Sequence, residues 1–298
     1  MGRLGSLHEN AVLLQENMSQ IHLRYDIGLG PVEDPANSQL LIQVQENSLH
    51  SIVADAEGQP LHFQSIQLVK DPEGENPLVE WFSAKKEWMQ QWKKVTIVHW
   101  APEATLVPAA LWREEDAGEL LDLQFGDLFK GIVMADHVPV EEAYTVYRVS
   151  KHHRKAVESS GGNLHQCHLF TPWLSYIQRQ PKADAGNLYL YFESGQFALA
   201  VWKDQLQYIA IIEYNVPEDV SYYLLKACGQ AGLSQQEVVL QVDGWIDTGS
   251  SLYQELRKYF IHVNTGRLPE GMELNGEALK DTPVHFFTPL IQMMSCVS

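Results

Sequence analysis

Apolar and polar positions alternate in three runs near the start of the chain. Residues 39–45 (QLLIQVQ) and 49–55 flank a polar turn, Glu46-Asn47-Ser48. Residues 61–69 alternate less cleanly and end at the turn Lys70-Asp71-Pro72-Glu73-Gly74. Period-two patterning bounded by turn residues predicts a three-stranded antiparallel meander. A helical period follows, with Leu78, Trp81, Phe82, Trp88, Met89 and Trp92 on or near one face. Asn76 before Pro77 supplies a cap and a proline at the first helical position. The apolar, β-branched run 95–100 (VTIVHW) then suits a strand covered on both faces.

The same order returns later. Residues 187–193 (NLYLYFE) and 196–203 flank Ser194-Gly195, a hairpin turn, and 205–213 supply a third strand. Asn215 and Pro217 open a helix whose Val220, Tyr223, Leu224, Ala227 and Cys228 share a face, with Gly229 or Gly232 closing it. Residues 237–242 (EVVLQV) read as another buried strand and 250–260 as another helix. A short match supports a duplication: His168, Phe170, Thr171 and Pro172 align with His285, Phe287, Thr288 and Pro289 at an offset of 117. Glu46 and Glu193, at the two hairpin turns, are 147 apart, so the first half carries about thirty extra residues. Their place is between Pro108 and Ser150, where a Leu111, Leu120 and Leu121 helix precedes strand-like runs 132–136 and 144–149.

This element order resembles the paired ribonuclease-H-like lobes of the superfamily of actin, heat-shock chaperones and sugar kinases. At a finer level the chain resembles a Bacteroidetes family, domain of unknown function 3822. The resemblance rests on LLIQVQENSLHSIVAD at 40–55, LYLYFESGQFALAV at 188–201 and the paired Phe-Thr-Pro segments, and spans about 35–295. It implies an α/β protein of two duplicated lobes, each a three-stranded meander plus α-β-α. The first lobe would be 1–180, with an inserted subdomain near 105–150, and the second 181–298.

The fold also implies where nucleotide would lie. The superfamily's phosphate loops are the first hairpin turn of each lobe, an Asp with glycines and a hydroxyl residue, so that N–H groups approach phosphate and a carboxylate holds Mg²⁺. Here the first turn, Glu46-Asn47-Ser48, has no glycine, and the second, Glu193-Ser194-Gly195, has one. The Gly-Gly pair expected for adenosine is missing from Asp243-Gly244-Trp245 and from Asp247-Thr248-Gly249. The expectation is a non-catalytic, protein-binding scaffold without cofactor, in which Glu46 and Glu193 are simple turn residues. The alternative is an ATP-binding enzyme of ATPase or kinase-like type, with Glu46 and Glu193 near Mg²⁺ and Ser48, Ser194 and Gly195 on phosphate. A component docked on a membrane assembly, as some actin-like pilus proteins are, is a third reading by fold analogy.

Charge and composition narrow the partners. A net charge of −17 repels nucleic acid and anionic membrane. One basic run stands out: Arg148, Lys151, His152, His153, Arg154 and Lys155. It reads as a solvated helix face, or as a contact for an acidic partner segment through Arg148, Lys151, Arg154 and Lys155. Acidic groups such as Glu114-Glu115-Asp116 and Glu141-Glu142 read as solvated. The absence of a bilayer-length apolar run and of a secretory start points to the cytoplasm. Met1-Gly2-Arg3-Leu4-Gly5-Ser6 fits the loose myristoylation pattern.

Other chemistry finds no footing. Cys167, Cys228 and Cys296 lie 61 and 68 residues apart, which is no disulfide framework. His165, Cys167 and His168 fall short of a four-ligand zinc set, and strand geometry puts His168 opposite the other two. There is no Walker A loop, nucleophile elbow or zinc-protease helix. Gly28-Leu29-Gly30 precedes the first expected strand, the wrong order for a dinucleotide fingerprint.

Overall fold

The computed structural model describes residues 21–69, 76–161, 164–269, 272, 274, 279–280 and 282–297. The myristoylation-like start and the turn at 70–74 lie outside the described residues.

Two large sheets carry the molecule. The first has the order β1 (Ile21–Gly28), β4 (Pro60–Leu68), β3 (Ser48–Ala54), β2 (Gln39–Val44), β5 (Lys94–His99), β9 (His165–His168). The second runs β12 (Leu206–Glu213), β11 (Gln196–Trp202), β10 (Asn187–Glu193), β13 (Val239–Gly244), β14 (His262–Thr265). In each, an antiparallel meander hands over to parallel strands at its first member: β2 pairs with β5, and β10 with β13. The ladders correspond position by position. Gln39 lies opposite Lys94 as Asn187 lies opposite Val239, and Val44 opposite His99 as Phe192 lies opposite Gly244.

Three elements go beyond the sequence pattern. β1 extends the first sheet along β4, although Arg24 and Asp26 interrupt its apolar rhythm; Asp26 meets His62 of β4 at 2.7 Å. Gly28-Leu29-Gly30 therefore follows a strand, contrary to the expected order. It still forms no dinucleotide loop, because the Leu29 and Gly30 N–H groups donate to Leu61 O and no helix starts there. β14, four residues long, borders β13. The third addition is β6 (Ala104–Pro108), which pairs with β8 (Ala143–Val149), and β8 with β7 (Ile132–Val138). These three strands and α3 (Ala117–Phe125) make up the insertion, around Val107, Ala117, Leu121 and Val146.

Helices cover the outer faces. α1 (Pro77–Ala84) and α4 (Lys151–Ser159) pack on one face of the first sheet through Leu78, Phe82, Ala156 and Val157. The aromatic stretch expected as one helix breaks at Lys85 into α1 and α2 (Lys86–Met89), yet Trp81, Trp88 and Trp92 stay in edge contact across the break. Asn76 caps α1, its Oδ1 accepting from Leu78 N at 3.0 Å. α6 (Pro217–Ala231) and α7 (Ser251–Tyr259) cover the second sheet through Val220, Leu224, Leu252 and Leu256. Gly232, at φ 63, closes α6.

Between the sheets lies the largest core, with α5 (Phe170–Arg179) and α8 (Thr288–Val297) packed against one another. The histidines of the matching segments anchor this layer in parallel ways. His168 Nε2 donates to Ala101 O at 2.9 Å and His285 Nε2 to Ile246 O at 2.7 Å, just past the ends of β5 and β13. Burial keeps His168 neutral, its pKa lowered to about 3. The threonines that follow each donate to an aspartate: Thr171 to half-buried Asp136 at 3.3 Å and Thr288 to buried Asp243 at 2.5 Å. Desolvation raises Asp136 to about 6 and Asp243 to about 7, against the hydrogen bonds that pull them down.

Gly244 is at φ +82, and a Cβ there would stand 2.2 Å from Phe192 O. Gly244→Ala is expected to cost more than about 2 kcal/mol, measured by urea unfolding. Asp243 titrates higher folded than unfolded, so the stability it favours is full below about pH 4 and lost as pH rises through about 7. His99 and His168, both lowered to about 3, act the other way, losing stability as pH falls below about 6.5. The effect of Asp243 therefore shows in the difference curve. Asp243→Asn is expected to gain on the wild type by on the order of 2 kcal/mol or more between pH 4 and pH 8. A pH-independent difference in melting would contradict this assignment.

Candidate functional site

The two hairpin turns that the fold resemblance marks as phosphate loops are Glu46-Asn47 and Ser194-Gly195. Glu193 is not in the second turn. It is the last residue of β10, paired with Gln196, and its ladder counterpart in the first sheet is Gln45 rather than Glu46. A side chain at the end of a central strand points into the layer between the sheets, and Glu193 is 2% exposed.

Every oxygen of that carboxylate is engaged from the first sheet. Gln43 Nε2 of β2 donates to Oε1 at 2.8 Å, and His50 Nε2 of β3 donates to Oε2 at 3.2 Å. Each donor is itself fixed. Tyr191 OH donates to Gln43 Oε1 at 2.8 Å, and Ser65 Oγ donates to His50 Nδ1 at 2.9 Å. Gln43, His50, Ser65 and Tyr191 are all buried, so the chain Tyr191–Gln43–Glu193–His50–Ser65 is a continuous polar tie within an apolar layer.

Two tryptophans brace the tie from opposite sides. Trp100 follows β5 and Trp245 follows β13, and the N–H of each donates to a carbonyl at the end of the adjoining strand, Val44 O of β2 and Phe192 O of β10. From there each reaches to the other sheet. Trp100 Nε1 donates to Gln196 Oε1 at 2.7 Å, and its ring meets Tyr191 edge-on at 5.1 Å. Trp245 lies 5.3 Å from the His50 ring and stacks on Tyr25 at 5.2 Å. The place where an adenosine-binding glycine pair was sought is thus held by Gly244, pressed against Phe192, and by the indole of Trp245.

The remaining sequence-picked residues divide. Ser48 is buried and donates to Gln45 Oε1 at 3.0 Å, which draws its hydroxyl back onto its own hairpin. Glu46 and Ser194 are exposed. A cavity of about 330 Å³ beside the second turn brings Ser194, Gly195 and Glu193 together with Arg24, Tyr25, Tyr214 and Trp245. Glu46 and Ser48 do not line it. Among the described residues no group of three His, Cys, Asp or Glu could hold a metal ion.

The basic run does not form one surface. Arg148 is 5% exposed on β8, paired with Glu103 at 2.8 Å and Asp122 at 2.5 Å, and so ties the insertion together internally. Arg154 pairs with Glu158 at 2.6 Å one turn along α4. Lys151 and Lys155 are exposed. The residues that link the sheets, Gln43, His50, Trp100, Tyr191 and Trp245, escaped the sequence reading. The tryptophans carried a signal, since each directly follows the strand after a helix in its half.

Comparison with known proteins agrees with this architecture. A Bacteroides thetaiotaomicron VPI-5482 protein with an actin-like ATPase fold and unknown function is similar at a TM-score of 0.65, with 18% identity, over 80% of this chain and 94% of that one. The PilM–PilN type IV pilus biogenesis complex contains a chain similar at a TM-score of 0.51, with 10% identity, over 86% of this chain and 96% of that one. No curated protein matches. At these identities the likeness shows the fold alone, an actin-like ATPase fold. The family model described as protein of unknown function (DUF3822) matches residues 32–263, more than half of the chain, and the protein belongs to that family.

Proposed function

We propose that this is a cytoplasmic, non-catalytic member of the actin-like fold that acts by binding another protein. The observation that carries the reading is the engagement of Glu193. In a nucleotide-binding relative of this fold, a carboxylate beside such a turn would hold Mg²⁺ through water. Here both oxygens accept hydrogen bonds from buried donors of the opposite sheet. Freeing the carboxylate for a cation would leave Gln43 and His50 with buried, unmatched donors, at about 1–3 kcal/mol each.

Further features support the reading. Neither hairpin turn offers the run of glycine N–H groups that cradles phosphate. The paired tryptophans, histidines and threonines fit two duplicated lobes, here bound face to face by their own side chains. The neighbour in the PilM–PilN complex is a protein of this fold seen with a protein partner, which favours the same class of partner here. Among the described residues no helix is long and apolar enough to cross a membrane.

The second reading, ATP binding, draws on the cavity of about 330 Å³ where Arg24 stands beside Ser194 and Gly195. That volume is at the lower end of the ~300–1,000 Å³ usual for small-molecule sites. Isothermal titration of folded protein with ATP, ADP and Mg²⁺ separates the two. No binding heat up to about millimolar nucleotide is expected, which corresponds to less than about 4 kcal/mol of affinity. Micromolar binding would overturn the non-catalytic reading.

A further inference from the structure

The insertion exposes apolar side chains to a degree found nowhere else among the described residues. Leu128 is 98% exposed, Leu123 87% and Leu111 70%, with Phe125 and Phe129 also open to solvent. Four of these five fall within seven residues, at the end of α3 and the turn after it. Isolated exposed leucines are ordinary, whereas a local cluster marks an interaction surface. α3 explains how the cluster arises. Leu121 faces the insertion's own core at 0% exposure, and Leu123, two positions on, lies on the opposite side of the helix. The helix is thus apolar on its outer side as well as its inner one.

Charge along the segment that carries the cluster is predominantly acidic, and Arg148 beside its turn is already paired with Glu103 and Asp122. Residues 109–142 contain nine acidic and two basic side chains. The two basic ones are already matched, Arg113 with Asp116 at 3.5 Å and Lys130 with Asp127 at 3.6 Å. Glu114, Glu115 and Glu119 are exposed near the start of α3, and Glu142 at the start of β8. An apolar centre with an acidic rim suits a ligand of the reverse design, apolar along one stripe and basic along its flanks. The rim opposes a second copy of this chain, an anionic bilayer and nucleic acid alike, because each brings negative charge to negative charge. The centre is made by a helix and a turn, so it presents side chains rather than a strand edge to pair with.

We infer that the tip of the insertion docks a cationic amphipathic helix of a partner protein. This rests on the partner-binding reading above and names the partner's chemistry. The apolar stripe of the incoming helix covers Leu123, Phe125, Leu128 and Phe129, and its lysines or arginines meet Glu115, Glu119 and their neighbours.

The test uses the full chain and two fluorescent model peptides of about 18 residues, long enough for some five helical turns. One is a Leu/Lys amphipathic helix and the other its Leu/Glu counterpart, followed by anisotropy. The Leu/Lys peptide is expected to bind the wild type, and to bind Leu123→Ser/Leu128→Ser at least about tenfold more weakly. Binding is also expected to weaken as salt rises to about 0.5 M. The Leu/Glu peptide is expected not to bind. Both leucines are exposed, so unchanged melting of the double variant checks that it is folded.

Four results would overturn the inference: no binding of the Leu/Lys peptide to the wild type; equal binding to wild type and double variant, which places the peptide elsewhere; equal binding of the Leu/Glu peptide; or a wild-type dimer in sedimentation that the double variant abolishes, which makes a second copy the occupant. Nucleotide titration of the same samples keeps the two proposals apart. Nucleotide binding would sink the non-catalytic reading and leave the docking result standing, whereas failed peptide docking with no nucleotide heat would do the reverse.

Discussion

A single buried carboxylate sets the terms for the space between the sheets. Taking a carboxyl group out of water costs several kcal/mol unless hydrogen bonds replace the solvent. Glu193 meets that requirement only because Gln43 and His50 arrive from β2 and β3 of the other sheet. The relation is reciprocal, since those donors are buried and need an acceptor. The two sheets are therefore coupled in register: a shift of one against the other would break several short hydrogen bonds together. The apolar layer of α5, α8 and the inner sheet faces supplies most of the burial, and the tie selects the arrangement in which it packs.

The ends of the central strands carry the same arrangement in both sheets. In both halves a tryptophan follows the strand, a histidine just ahead of a later helix holds the next carbonyl, and a threonine meets an aspartate. In nucleotide-binding members of such a fold, strand ends of this kind open toward a ligand at the crevice. Here the indoles of Trp100 and Trp245 cross the crevice instead and contact Tyr191 and His50. These contacts join the two sheets directly across the crevice. The insertion is tied together internally by buried Arg148 and is held to the body by Asp136, which binds Thr171 and the backbone N–H of His168.

Much of this was legible in residue order, and the gaps have physical causes. β2, β3 and β10 follow clean alternation, and β5 is a β-branched run, so their apolar pattern marks them. β1 was hidden by Arg24 and Asp26, tolerable at a sheet edge where side chains reach solvent or a partner such as His62. β6 and β14 are too short for a periodic signal. The break at Lys85 left the aromatic face intact, so periodicity alone could not see it. At the site, Ser194-Gly195 is so strong a turn signal that it drew Glu193 into the loop, while the ladder keeps it in the strand. Arg148 looked like the head of a basic surface, but its strand position turns it inward to Glu103 and Asp122. Those facts depend on which strands are neighbours, information that one-dimensional patterning does not hold.

The central claim is that Glu193 serves as a structural tie to the opposite sheet. A double-mutant cycle on unfolding free energy, with Glu193→Ala, His50→Ala and both together, addresses it most directly. The account predicts a coupling of about 1.5–3 kcal/mol, the range for a hydrogen bond to a charged group, with the double variant less destabilised than the sum of the singles. Additive effects, or single substitutions that leave stability within about 0.5 kcal/mol of the wild type, would contradict it and return Glu193 to the role of a carboxylate held free for a ligand.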